Sequence, residues 1–197
     1  MTSNLSKKRQ RPESDAARTP SKPAPVVFRT PGETVDTLLS VLGQDYHVYS
    51  SILKRHSNFF RKFLDSPDKS GKPASAQFRY HYVTVIDKDD AKAWFLESSE
   101  MGTPATADQI AGLTDMDQQS DAFSDLLKAM YHRPFKVQNF SHLLVITAIA
   151  DIYCALPILS AALSGALLGS RMFEKNKSNI WRTVITSHPN FFKRSTT

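Results

Sequence analysis

Hydrophobic periodicity changes along this chain, and the change limits the possible folds more than any other feature of the sequence. Residues 34–42 and 78–86 alternate β-branched, apolar and polar side chains, which is typical of strands. From Phe123 to Tyr131, apolar side chains instead recur at helical spacing. Strands that come first, with helices inserted between them and further helices behind, predict an α+β domain.

The first half of the chain contains signals for a strand hairpin and a pair of helices. Residues 46–49 form a second short strand, joined to the first through a turn at 43–45. Ser50 or Ser51 is placed to cap a helix, and Ser57 is placed to cap the next one. We therefore expect a β-hairpin followed by a helical hairpin.

Proline and serine residues mark the helix boundaries in the second half. Pro134 ends the stripe that starts at Phe123, and Ser141 is predicted to cap the following helix, which stops before Pro157. Residues 158–167 form a third stripe. A last helix is predicted from about residue 179, carrying Trp181, Val184 and Ile185 and ending before Pro189.

The N-terminal tail holds most of the positive charge. Residues 1–25 carry six Lys or Arg against two acids, a net charge of +4, so the remaining chain holds only +2 of the total +6. The tail has few large apolar side chains, which predicts disorder. A basic face for nucleic acid needs its charge on the folded part, so we do not expect a nucleic-acid ligand.

A basic cluster within this tail matches the composition of a nuclear-localisation signal. It consists of Lys7, Lys8, Arg9 and Arg11. A solvated tail with incidental charge is the alternative interpretation. Residence in the nucleus, the cytoplasm or both is expected, because the tail lacks the apolar segment of a secretory signal.

Two segments have unusual composition. Residues 97–121 contain six acids and no Lys or Arg, and are predicted to form an acidic insertion loop that is either functional or simply solvated. Residues 152–169 are uncharged, but Pro157 and the neighbouring Asp151 disfavour a membrane span. Two buried helices that break at Pro157 are expected instead.

Two separated blocks of the sequence resemble the BTB/POZ family. The first block lies within residues 36–60, and its matching positions are Asp36, Tyr46, Tyr49, Leu53, Ser57 and Phe60. The second covers residues 122–131 and 143–163, with Ala150, Tyr153 and Leu156 at the family's signature positions. The blocks agree with the family in order and spacing, and the insertion before residue 122 is closest to fungal BTB-domain proteins.

The resemblance implies a BTB/POZ fold over residues 26–190, a small β-sheet flanked by helical hairpins, with 191–197 as a C-terminal end. It further implies a scaffold or adaptor that forms homodimers or hetero-oligomers, in transcription-linked or cullin ubiquitin-ligase assemblies. In such dimers the first strand and the first helix form the interface. Here the corresponding interface residues are Asp36, Leu38, Tyr46, Tyr49, Ile52 and Leu53.

The chain departs from the family at two positions near this interface. Tyr49 stands where the family usually has His, and Ser50 stands where many dimeric members have a basic residue that pairs with the strand Asp, here Asp36. The charged pair of the dimer groove is therefore missing, and we expect weak self-association. The hydrophobic-x-Glu pattern of some cullin-binding members is also not evident.

No enzymatic signature stands out. The Gly-Lys at residues 71–72 lacks the upstream glycine of a P-loop, and the six histidines and Cys154 show no spacing typical of zinc ligands. We therefore expect no catalytic residue, cofactor or metal, and no intramolecular disulfide. Two rival hypotheses are a hydrolase or transferase with an unrecognised site, and a basic-tailed nuclear protein that associates with nucleic acid.

Overall fold

The computed structural model describes residues 23–65, 77–90, 93–168 and 170. These residues form a mixed α/β arrangement of five strands and six helices, compatible with the predicted α+β class. In chain order the elements are β1 (Val26–Val27), β2 (Thr37–Val41), β3 (Gln44–Val48), α1 (Ser50–His56), α2 (Asn58–Leu64), β4 (Tyr80–Ile86), β5 (Trp94–Ser98), α3 (Ala107–Ala111), α4 (Met116–Met130), α5 (Phe140–Ile152) and α6 (Leu156–Leu168).

The strands form one open sheet in the order β1-β3-β2-β4-β5. The predicted hairpin is present, since β2 and β3 pair antiparallel with Leu39 opposite Tyr46. Strand β4 pairs parallel with β2, and β5 pairs antiparallel with β4. The sequence showed β5 only as a short apolar patch, because five residues carry too little alternation to identify a strand.

The turn between β2 and β3 is tied to the centre of the sheet. Leu42 and Gly43 both have positive φ angles, 49° and 84°, as a two-residue hairpin turn with the right twist requires. A left-handed conformation is unfavourable for leucine. The Leu42 amide donates a hydrogen bond of 2.8 Å to Thr84 Oγ1 of β4, and this contact holds the turn in place.

Ser57 links the helical hairpin to the second half of the chain. Its hydroxyl accepts a hydrogen bond from the Phe60 amide at 3.1 Å, so the predicted cap of α2 is confirmed. The same hydroxyl donates to the Tyr153 carbonyl oxygen at 2.5 Å. One buried side chain therefore caps a helix and joins two segments that are far apart in sequence.

The helical stripe of α4 is buried as predicted, including Phe123 and Leu127. The predicted cap of α5 is wrong. Asn139 has the extended backbone of a cap and accepts from the His142 amide at 2.8 Å, whereas Ser141 already lies inside the helix. Pro157 lies in the first turn of α6, where its missing amide costs little, and α5 ends before it as expected.

The acidic segment 97–121 is not a continuous loop. It contains the end of β5, all of α3 and the beginning of α4. A capping box starts α3, in which Thr106 accepts from the Gln109 amide while the Gln109 side chain accepts from the Thr106 amide. Such reciprocal polar bonds stabilise a short helix that has no apolar stripe, which is why the periodicity of the sequence did not reveal it.

A single core lies between the inner face of the sheet and the helices. Leu53, Phe60, Leu127 and Tyr153 all belong to it, which confirms that the predicted inward faces of four helical segments meet. Phe60 and Tyr153 stack with ring centroids 5.8 Å apart and an interplanar angle of 6°.

The expectation that α5 and α6 are both buried is only half correct. Ile146 and Leu159 lie in the core, but Leu144, Ile152 and Leu168 are exposed. Among the described residues no helix is long and apolar enough to cross a membrane. The predicted tail up to residue 22, the predicted helix from residue 179 and the end 191–197 lie outside the described residues.

Candidate interaction surfaces

The structure divides the predicted interface residues into two groups. Tyr46, Tyr49 and Leu53 are at most 3% exposed and pack inside this chain, so in this structure they are core residues and not surface residues. The alternation of β3 directs Tyr46 inward and the inner face of α1 directs Leu53 inward, while Tyr49 lies between these two elements. The other three, Asp36, Leu38 and Ile52, remain partly exposed.

Asp36 is held by hydrogen bonds within its own chain. One carboxylate oxygen accepts from the Ser50 amide at 2.7 Å and from Thr37 Oγ1 at 3.0 Å, and the other accepts from Ser50 Oγ at 2.5 Å. Tyr49, at the cap position of α1, gives no side-chain capping bond. The Asp36 carboxylate takes over this role, and a negative charge is favourable at a helix N-terminus.

Tyr49 organises the segment that leads into β2. Its hydroxyl accepts from the Thr30 amide at 2.9 Å and lies 3.2 Å from the Thr30 carbonyl oxygen, while its own amide donates to Tyr131 Oη at 2.7 Å. Burial raises the pKa of Tyr131. A groove of about 560 Å³ opens between this segment and β3, lined by residues including Arg29, Glu33 and Tyr49. Tyr49 therefore has a structural role in this part of the chain.

On the outer face of the sheet a Ser, an Asp and a His lie in contact. No local sequence pattern predicts this arrangement. Ser40 Oγ donates to Asp45 Oδ1 at 2.7 Å and lies 3.4 Å from His81 Nε2. In a hydrolytic triad the base contacts the serine and the acid orients the base. Here the acid accepts the hydrogen bond of the serine hydroxyl itself. The geometry therefore does not fit nucleophilic catalysis.

A second polar cluster is buried beneath α4 and α5. Asp125 is ion-paired with Lys128 at 2.6 Å. His142 is almost fully buried, and its Nδ1 accepts from the Gln138 amide at 3.2 Å. That bond leaves the proton of the neutral ring on Nε2, which lies 3.7 Å from Asp125 Oδ2. This arrangement fixes the loop before α5 and opens into none of the cavities described above.

Two histidines meet at the surface where α1 approaches the end of α4. The rings of His56 and His132 are perpendicular, with centroids 5.3 Å apart. Partial burial and then the neighbouring His132 and Arg55 lower the pKa of His56. Two imidazoles are too few for a zinc site, and the described residues contain no group of three or more potential metal ligands.

The outward face of α5 is an apolar surface. Phe140, Leu144 and Ile152 are 63%, 55% and 55% exposed, and their spacing places them on one side of the helix. A pocket of about 260 Å³ adjoins them. Its lining includes Trp94, Ala148, Ile149, Ile152 and Tyr153, with Asp115 and Gln119 at one side. We call this face and its pocket the α5 surface.

These features define a mixed α/β domain that exposes an apolar helix face and holds its polar clusters in structural contacts. A scan against protein-family models, a search of curated proteins and a search of solved structures each give no match for this chain. The basic cluster Lys7, Lys8, Arg9 and Arg11 lies outside the described residues.

Proposed function

We propose that this chain is a protein-interaction module of the BTB/POZ type that self-associates weakly and acts as a scaffold or adaptor rather than as an enzyme. Partner chains in transcription-linked or ubiquitin-ligase assemblies are the proposed targets. A nuclear protein that associates with nucleic acid through its basic tail is the second candidate, and the tail's net charge of +4 favours it.

The observation that supports the module most is the meeting of the two sequence blocks that carry the resemblance. Ser57 and Phe60 of the first block contact Tyr153 of the second, through a hydrogen bond of 2.5 Å and a stacked ring pair. Tyr49 of the first block likewise bonds Tyr131 of the second at 2.7 Å. Positions that match the family in sequence therefore also form mutual contacts in space.

The proposed weakness of the dimer follows from Asp36. Its carboxylate has donors from Ser50 and Thr37 in its own chain, so it brings no unsatisfied charge to an interface. It also has no basic partner at position 50 that could add a charged pair. The half-buried side chains Leu38 and Ile52 are left as the apolar contribution of this region. A small apolar patch without charge pairing gives limited affinity.

Size-exclusion chromatography with light scattering on the full chain, diluted from micromolar to nanomolar concentration, tests this proposal. We expect a dimer that dissociates on dilution and is lost in Leu38→Glu. The matched control is Leu144→Glu on the α5 surface, which should leave the dimer intact. A monomer at every concentration rejects self-association, and a dimer that persists at nanomolar concentration rejects its weakness. Loss of the dimer in the control alone would move the interface to α5.

Nuclear residence is proposed from the basic cluster at residues 7–11. A fluorescent fusion in which Lys7, Lys8, Arg9 and Arg11 are replaced by Ala should shift toward the cytoplasm. An unchanged distribution would reject the localisation signal and leave the interpretation of a solvated tail with incidental charge. For the nucleic-acid alternative, binding would have to weaken steeply with salt and vanish when the same four residues are replaced.

A further inference from the structure

The α5 surface exposes large apolar side chains on a helix that carries few polar ones. The exposed polar side chains of α5 are Ser141, Thr147 and Asp151, and apolar residues occupy both the buried and the exposed faces. Several large apolar side chains exposed on one helix face are typical of a contact surface. None of the described residues covers Phe140, Leu144 or Ile152. Their exposure therefore indicates a contact with a further segment or chain.

The pocket beside this helix is suited to one large apolar side chain. Its volume is about 260 Å³, and an apolar cavity of roughly 150 Å³ already accommodates benzene. Trp94 and the buried Tyr153 contribute aromatic rings to its wall, beside the aliphatic side chains of Ile149 and Ile152.

The charge near the α5 surface is mostly negative. Residues 93–127 and 140–168 contain eight acids and no Lys or Arg, and Lys128 at the end of α4 is ion-paired with Asp125. Asp115, Asp117 and Asp121 at the start of α4 and Asp151 on α5 are all exposed. An occupant that combines apolar side chains with positive charge therefore matches this surface.

Residues 171–197 have this combination. They contain six Lys or Arg against one acid, Glu174, a net charge of +5. The helix predicted from about residue 179 places four apolar residues on one face, Ile180, Trp181, Val184 and Ile185. The N-terminal tail is basic too, but Met1 and Leu5 are the only large apolar side chains in residues 1–25, so the tail lacks the apolar face.

We propose that residues 171–197 dock on the α5 surface of the same chain, with Trp181 in the pocket beside Trp94 and the basic side chains facing the acids of α4. The reach is sufficient, because ten residues from Ser170 to Ile180 span up to about 33 Å. A folded unit of this size has a radius of gyration of only about 14 Å. Tethering also makes the local concentration of the segment high.

This proposal does not rest on the interaction function above and is tested separately, by trypsin cleavage of the full chain after Arg182. Cleavage after Arg18 in the tail serves as the internal reference. Ala148→Arg places a large cation in the pocket, and Trp181→Ser removes the inserted side chain without touching the described fold. Each should accelerate cleavage after Arg182 by about tenfold, because the rate follows the population of the undocked state.

The matched control is Ala161→Arg, the same exchange at an exposed position of α6 that does not line the pocket. It should leave the cleavage rate within about twofold of the unmodified chain. Equal rates in the unmodified chain, Ala148→Arg and Trp181→Ser would overturn the proposal. Protection that disappears on dilution would overturn it as well, because the occupant would then be a second copy.

Discussion

Replacement of Asp36 by Ala should destabilise the domain although the residue is only partly buried. The change removes the acceptor of the Ser50 amide, which caps α1, and loss of such a cap costs about 0.5–2 kcal/mol. It also leaves Thr37 Oγ1, which is fully buried, without its acceptor, and a buried unsatisfied hydroxyl costs about 1–3 kcal/mol. The two contributions together predict a loss of about 1.5–5 kcal/mol in the free energy of unfolding.

Chemical denaturation in urea measures this loss, provided that the slope of the unfolding free energy with denaturant stays unchanged. The melting temperature should fall by roughly 3–20 °C, at about 2–4 °C per kcal/mol for a domain of this size. Asp36→Asn keeps one acceptor oxygen and loses the charge, so it should cost about 1 kcal/mol. Asp151→Ala, at an exposed position near the end of α5, is the control and should change stability by less than about 0.5 kcal/mol.

A double-mutant cycle separates this explanation from others. Ser50→Ala removes one hydroxyl bond to Asp36, and Asp36→Ala with Ser50→Ala together should cost less than the sum of the two single changes, because both act on one set of bonds. A cost below about 0.5 kcal/mol for Asp36→Ala alone would refute the reasoning.

Two further predictions concern the core and the histidine pair. Phe60→Ala and Leu127→Ala should each cost about 2–5 kcal/mol in unfolding free energy, whereas Phe63→Ala on the exposed side of α2 should cost clearly less; equal costs would contradict the assigned helix faces. The pKa of His56, followed by NMR, should lie below 6.5 and rise in His132→Gln, although desolvation is the larger cause of the shift. Because the folded pKa is lowered, the unfolded chain binds the proton first, so stability falls as pH drops from about 6.5 to the folded pKa. An unchanged His56 titration in His132→Gln would disprove the coupling between the rings.

The sequence predicted those elements whose signals are local. The stripe of α4 extends from Phe123 to Tyr131, more than two turns, and Ser57 precedes aromatic residues at helical spacing, so both helices were predicted from the sequence. The hairpin was predicted likewise, with strands over 34–42 and 46–49, whereas the structure has them at Thr37–Val41 and Gln44–Val48. The interface prediction was less successful, since it could not tell which aromatic residues point inward, and Tyr46 and Tyr49 lie in the core.

Other features depend on pairs of residues that are distant in the chain. β5 forms a strand because it pairs with β4. Helix α3 is stabilised by two reciprocal capping bonds and has no apolar periodicity in its sequence. The contact of Ser40 with His81 joins positions 41 residues apart, and only the register between β2 and β4 brings them together. No local pattern encodes such a register.

The sequence by itself therefore determined those elements that have a local signal, such as the β2–β3 hairpin, α2 and α4, since periodicity and capping are properties of neighbouring residues. Only the tertiary structure decided which faces are covered. Asp36 was expected at an interface, but it caps α1 through its bonds to Ser50. One apolar face of α5 remains exposed. The physical reason is that burial and hydrogen-bond satisfaction depend on which segments meet in space, and that is fixed by the packing of the whole core.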